Sequence, residues 1–150
     1  MRVAIACDHG GYPLKASVIQ TIQSEGHEVV DLGTDSPSPV DYPDIVQKAG
    51  MALQEGSVER AILLCGSGVG ACIAANKMKG VYASVCHDTY SARQGVEHDA
   101  MNALCLGGRV IGLELVKELV KAFLSARVSS EERHQRRIGK TRSLEQGKRI

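Results

Sequence analysis

Two periodicities run through this chain and take turns. Arg2 to Cys7 is a short apolar run, which predicts a strand, and Asp8-His9-Gly10-Gly11 follows it as a loop. Leu14, Val18, Ile19 and Ile22 then recur at helical spacing until Gly26 stops the pattern. His27 to Leu32 predicts a second strand. Thr34 to Pro43 holds three prolines and two serines and predicts a loop. Ile45, Val46, Ala49 and Leu53 mark a second amphipathic helix, closed by Gly56. A third strand is expected over Arg60–Leu64, then an alanine-rich helix from Ala71. A fourth strand is expected over Val81–Cys86, a helix over Thr89–Val96 and a fifth strand over Ala103–Leu106. Leu113, Val116, Leu119, Val120 and Phe123 give the strongest helical stripe. The basic C-terminal stretch reads as one more helix, with Arg133, Arg137 and Lys140 on one face.

Strands and helices alternate five times. That alternation predicts an α/β protein, a Rossmann-like three-layer sandwich with a five-stranded parallel sheet and helices on both faces. No internal repeat or domain boundary interrupts it. One domain over 1–150 is expected, with a basic helical tail from about 127 to 150. In such sheets ligands sit beyond the carboxyl ends of the strands. Those ends carry Asp8-His9, Cys65 with its glycines, His87-Asp88 and Gly108-Arg109, so polar and reactive residues are expected at one edge.

Composition narrows the function classes. Hydrophobic residues make up 43% of the chain, which favours a folded globular protein over disorder. No apolar run approaches a membrane span, and the N-terminal apolar segment is too short for a signal peptide. The five cysteines show neither CxxC nor zinc-ligand spacing. A cytoplasmic protein is expected. The five histidines lack HxxxH or HxH spacing, so no metal site is expected. The net charge of +1 hides an asymmetry: from Arg127 onward eight Lys/Arg face three acids. Such a tail suits nucleic acid or a small anion. With only five aromatics, none interleaved with the basic residues, nucleic-acid stacking is not expected.

The chemistry concentrates at Cys65-Gly66-Ser67-Gly68-Val69-Gly70. This glycine loop is not a Walker A loop, since no Gly-Lys-Ser/Thr follows, and it lacks the GxGxxG spacing of dinucleotide sites. A strand, a glycine loop and a helix do place backbone N–H groups and a positive helix end beside the strand tip. There the sequence puts a cysteine. A free thiol titrates at about 8.5, and a helix N-terminus lowers that value. The residues alone leave two readings, a tight turn beside an inert thiol or an anion site holding a thiolate.

Taken together, seven ordered segments resemble the ribose-5-phosphate isomerase B family, which includes galactose-6-phosphate isomerase subunits and related sugar-phosphate isomerases. They are Cys7 to Gly11, Val29 to Thr34, Asp41-Tyr42-Pro43, Cys65 to Gly70 with Ile73 to Lys77, His98 to Asn102, Gly107 to Gly112, and Arg133 to Arg137. The resemblance runs nearly end to end. It implies an aldose–ketose interconversion through a cis-enediolate, without metal or organic cofactor. Cys65 is then the base. Ala75 agrees, since some relatives carry a glutamate base at that position.

Further roles follow from the same resemblance. The N–H groups of Gly66, Gly68, Val69 and Gly70, with the Ser67 hydroxyl, would hold the enediolate oxygen. His98 would protonate the leaving ring oxygen as the sugar opens; an ordinary imidazole suits that task. Asp8 would bind sugar hydroxyls, and His9, Arg133 and Arg137 the phosphate. Arg109 would touch the ligand, and Tyr42 would form a pocket wall. The segment around His98 and Arg109 is expected from a partner subunit, which implies a homodimer with shared sites, or a dimer of such dimers. One segment departs from the family: Asp99 stands where an asparagine is usual, and Met101 is larger than the usual residue. Ribose 5-phosphate/ribulose 5-phosphate is the expected pair. A tetrose, allose or galactose phosphate is the alternative, followed by a non-catalytic sugar-phosphate-binding module and a thiol redox protein.

Overall fold

A computed structural model describes all 150 residues. Five strands, β1 (Arg2–Cys7), β2 (Glu28–Asp31), β3 (Arg60–Cys65), β4 (Ala83–Val85) and β5 (Ala103–Gly107), form one parallel sheet in the order β2-β1-β3-β5-β4. Six helices accompany them: α1 (Tyr12–Ser24), α2 (Tyr42–Gln54), α3 (Val69–Ala75), α4 (Thr89–Asp99), α5 (Leu113–Ser125) and α6 (Glu132–Glu145).

The side-chain period of two divides each central strand between two cores. Val3, Ile5, Ile62, Leu64, Leu104 and Leu106 point to the face covered by α1, α4 and α5, where Val18, Ile22, Val96, Val116, Leu119 and Phe123 meet them. Ala4, Ala6, Ala61, Leu63, Cys65, Ala103 and Cys105 point to the other face, against Ile45, Val46 and Ala49 of α2 and Ala71 and Ala75 of α3. The small residues on that face let α2 and α3 lie close to the sheet. Both faces are therefore covered, the three-layer arrangement that the alternation predicts. Arg60 fixes the end of α5: its buried guanidinium donates to the carbonyls of Phe123 and Ala126, which an ending helix leaves unpaired.

The fourth strand is shorter than the expected Val81–Cys86. Side-chain amides replace the ladder at its start. Asn102 Oδ1 accepts from Tyr82 N (2.8 Å), and Asn76 brackets Ala83, accepting from its N–H (3.0 Å) and donating to its carbonyl (2.8 Å). The following helix is longer than expected. It continues to Asp99 and ends where Ala100 adopts a left-handed conformation (φ 58°).

The strand order places the site. The chain leaves β1 towards one side of the sheet and β3 towards the other. A crevice opens where connections diverge in this way, here between the carboxyl ends of β1 and β3. Asp8 and Cys65 stand at those two ends.

Candidate active site

Cys65 ends β3 buried, and the chain turns sharply after it. The turn needs Gly68, whose φ of +83° a side chain would strain, and whose Cβ would sit 3.2 Å from the backbone of Leu106. This conformation aims the Gly68 N–H at the Cys65 Sγ, 3.1 Å away. A donor directed at the sulfur is what a thiolate base requires. The helix beyond, α3, has only seven residues, so of the two expected contributions the nearby amides supply most of the local field and the helix end little. Two further bonds lock the loop to the end of β5: Gly108 N donates to Cys65 O (2.8 Å) and Arg109 N to Gly66 O (3.0 Å).

Opposite the thiol lies Asp8, also buried. Its Oδ1 accepts from the N–H groups of Gly10 (2.8 Å) and Gly11 (3.0 Å). Its Oδ2 has no partner in the chain and remains available to a ligand hydroxyl. Asp8, Tyr42, Cys65, Gly66, Ser67, Gly70, Arg109 and Val110 line one open pocket of about 480 Å³. Tyr42 begins α2, and its ring stands where a Gly70 Cβ would meet it at 3.0 Å. The Arg109 guanidinium lies across Gly66 at the rim. Ser67 Oγ accepts from Val69 N (3.3 Å). His9 is turned towards the proline-rich loop, with Nδ1 accepting from Val40 N (3.3 Å).

The remaining residues named from sequence lie elsewhere. In a parallel sheet each connecting helix runs back from the carboxyl edge to the amino edge. α4 therefore carries His98 about 14 Å down its axis from Thr89. That leaves His98 at the edge opposite Cys65, on the other face of the sheet. There His98 stacks on His134 of α6, with ring centroids 3.9 Å apart and planes 20° from parallel. His134 is buried, and its Nδ1 has no hydrogen-bond partner. Burial pushes its imidazole below the ordinary value, and the His98 ring, Arg133 and Arg137 add to this against Glu131. Arg133 is shared with Glu131 (2.8 Å), whereas no ion pair or hydrogen bond holds the Arg137 guanidinium. Asp99 is exposed, and its Oδ2 accepts from Gln94 Nε2 (3.3 Å).

Within the chain His98, Asp99, Arg133 and Arg137 do not share an edge with Cys65. The geometry corrects two expectations. Arg109 does not travel with His98; it serves the Cys65 pocket of its own chain and makes no contact with Asp99. The strand-end pair His87-Asp88 is structural: His87 Nε2 accepts from Gly107 N (3.1 Å), and Asp88 caps α4 by accepting from Ser91 N (2.7 Å). Three residues carry no role in the sequence reading and emerge here: Val110 in the pocket, and Gln94 and His134 around His98. The Gln94–His98 spacing of four on one helix is the only sequence signal for the first of those two contacts.

A parallel α/β sheet with a thiol, a carboxylate and a glycine-loop amide cradle at its switch point defines an enzyme fold for a small polar substrate. The chain belongs to the ribose/galactose isomerase family, whose model matches residues 3–141. It is thereby an aldose–ketose sugar-phosphate isomerase in class. It is 41% identical over 145 residues to ribose-5-phosphate isomerase B of Escherichia coli (strain K12), covering 97% of both chains. It is 40% identical over 128 residues to D-erythrulose-4-phosphate isomerase of Pectobacterium atrosepticum, covering 84% of each. Among solved structures, ribose-5-phosphate isomerase B of Clostridium thermocellum superimposes with a TM-score of 0.94 at 41% identity, over 98% of this chain and 99% of that one. No helix is long and apolar enough to cross a membrane.

Proposed function

We propose that this chain interconverts ribose 5-phosphate and ribulose 5-phosphate through a cis-enediolate, with Cys65 as the base. The carrying observation is the Cys65 sulfur at the switch point, facing a pocket and accepting the Gly68 N–H. As thiolate, Cys65 takes the C2 proton of the open-chain aldose and returns it to C1, while the O2 hydroxyl proton passes to O1, so that C2 becomes the carbonyl. The carbonyl oxygen gains negative charge as that proton leaves. The Gly66 and Gly70 amides and the Ser67 hydroxyl are the donors for it, since Cys65 Sγ and Ser67 Oγ already hold the Gly68 and Val69 N–H groups. Asp8 Oδ2 accepts from a sugar hydroxyl. The test is a panel of aldose and ketose phosphates of four to six carbons, read by isomer-specific detection. Highest kcat/KM on the ribose/ribulose pair is the expected result; no turnover of any member would leave a binding module instead.

No histidine of its own chain lines the Cys65 pocket, and no thiol lies beside His98. Two copies packed about a two-fold axis supply each with the other. The surface around the Cys65 pocket favours this reading: Val110 in the pocket and Val69 and Ile73 on α3 are apolar yet 56%, 51% and 58% exposed, the kind of surface a partner covers. A homodimer with two shared sites follows, in which His98 opens the furanose while the partner's α6 brings Arg133 and Arg137 to the phosphate. His9, next to Asp8 in the chain, joins them by turning from the Val40 N–H.

The clamp gives a quantitative expectation. Arg133→Ala and Arg137→Ala each weaken a phosphorylated ligand, by about 1.5–3 kcal/mol for one charged hydrogen-bond partner. Arg137→Ala takes the larger share, because Glu131 already occupies Arg133. Calorimetric titration with a sugar phosphate and its unphosphorylated sugar checks this; equal losses on both ligands would place the phosphate elsewhere.

Asp99 supports a second substrate reading. An amide both donates and accepts, whereas a carboxylate only accepts. Gln94 occupies Oδ2, which leaves Oδ1 for a substrate hydroxyl, and Arg109 of the same chain does not neutralise the charge. A tetrose phosphate or another epimer is the alternative favoured by this change. Asp99→Asn should then shift preference towards ribose 5-phosphate, seen as a change in kcat/KM ratios across the panel. Constant ratios would show that Asp99 sets no specificity and leave the pentose reading stronger.

A further inference from the structure

His98 is held from two sides by residues outside the assigned chemistry. His134 stacks on its ring, and Gln94, one helical turn earlier, reaches its Nδ1 with Nε2 at 3.0 Å. The same Gln94 Nε2 lies 3.3 Å from Asp99 Oδ2. An amide can present either its nitrogen or its oxygen to a neighbour, so a histidine contact alone leaves the orientation open. The carboxylate closes that choice. Ionised Asp99 only accepts, and an amide oxygen turned towards it would set two acceptors together. The nitrogen must face Asp99, and the same nitrogen then faces His98.

An NH2 group carries two hydrogens. With one directed at Asp99, the other points at His98 Nδ1, which must accept with its lone pair. A neutral imidazole has one ring proton. We propose that Gln94, oriented by Asp99, is a positioning residue that fixes His98 in the tautomer with its proton on Nε2. Nε2 has no partner within the chain, so this tautomer directs the proton outward. In the opposite tautomer Nδ1–H would meet the Gln94 N–H head-on, and the outward nitrogen would offer a lone pair. With Nε2–H outward the ring can pass that proton to the ring oxygen as C1–O4 breaks and take the anomeric O1–H proton in exchange, which leaves C1 as the carbonyl; the opposite tautomer presents only a lone pair to that oxygen. This inference rests on the reading of His98 as the ring-opening acid, and the test separates the two.

The tautomer is observable without turnover. Long-range proton–nitrogen correlation spectra of the 15N-labelled full-length protein at pH 8 report which imidazole nitrogen is protonated, with His98 assigned by its loss in His98→Asn. The wild type is expected to show a pyridine-like Nδ1 and a pyrrole-like Nε2. Gln94→Leu keeps the helix and removes the donor, so the Nδ1–H form should become populated. Gln94→Glu supplies an acceptor and should make that form dominant. An unchanged spectrum in both variants overturns the proposal. In parallel, Gln94→Leu should lower kcat on ribose 5-phosphate about tenfold, with KM within about twofold and turnover of an open-chain tetrose 4-phosphate unaffected. If the spectrum moves while both substrates turn over normally, the tautomer assignment stands and the acid role of His98 falls. If neither Gln94 variant alters spectrum or rate, the positioning role falls and the acid role is untouched.

Discussion

Cys65→Ala is expected to bind sugar phosphates normally and to lose proton transfer. A positioned base contributes about 10²–10⁴ in rate, or about 3–5 kcal/mol of barrier. The loss should appear in kcat, because Asp8, the loop amides and the arginines that hold the ligand remain. The fold should survive. Cys65 belongs to the buried cluster that includes Leu63 and Ala71, and alanine leaves only a sulfur-sized gap and one unpaired N–H on Gly68. The decisive readout is exchange of the substrate C–H with solvent deuterium. Exchange at the wild-type rate would remove Cys65 from the chemistry.

Thiol labelling is a poorer test, for a reason visible in the structure. Burial pushes the Cys7 thiol up to about 11. Cys105 lies well above the ordinary range, with the Cys72 hydrogen bond and burial as the main causes. Neither ionises near neutral pH. Cys72, however, is drawn down to about 6, chiefly by the Cys105 thiol. It sits against the Ala83 carbonyl and Asn76 rather than in the pocket. A reagent that prefers thiolates will therefore report Cys72 as well, and only the carbon-bound proton isolates the base.

Much of this molecule can be read from the chain because its elements are amphipathic with clean periods. The stripes on α1, α2 and α5 match the buried faces except at Leu113, which opens α5 half exposed, while Ile19 and Leu53 lie at the margins; the unbroken apolar runs of the central strands fit a sheet covered on both faces. The Cys65 half of the site is equally legible. It is local, built from strand ends whose spacing topology fixes in advance. The other half is not. Placing His98 requires the true length of α4, and Ala100, not a glycine, ends that helix. Its neighbour His134 comes from an element 36 positions later, through a packing contact that no period announces. Arg109 shows the converse error: a resemblance carried it to the partner's side, and the backbone bond from Arg109 N to Gly66 O keeps it with its own pocket.

His98→Asn separates ring opening from proton transfer. Ribose 5-phosphate closes to a furanose through O4, and opening it needs a proton on that oxygen as the C1–O4 bond breaks. A tetrose 4-phosphate has O4 esterified and cannot form that ring. Loss of the acid should cost about 10²–10⁴ on the pentose and only a few-fold on the tetrose. Equal losses would give His98 a part in the enediolate step itself. The same variant tests the shared site. Neither Cys65→Ala nor His98→Asn homodimers contain an intact pair. A heterodimer of the two has one site with both residues and one with neither. Random exchange of equal amounts makes half the dimers mixed, so activity should recover to about a quarter of wild type. Recovery requires that the acid and the base come from different chains; a mixture that stays inactive would confine each site to one chain, and α4 would then have to move to bring His98 to Cys65.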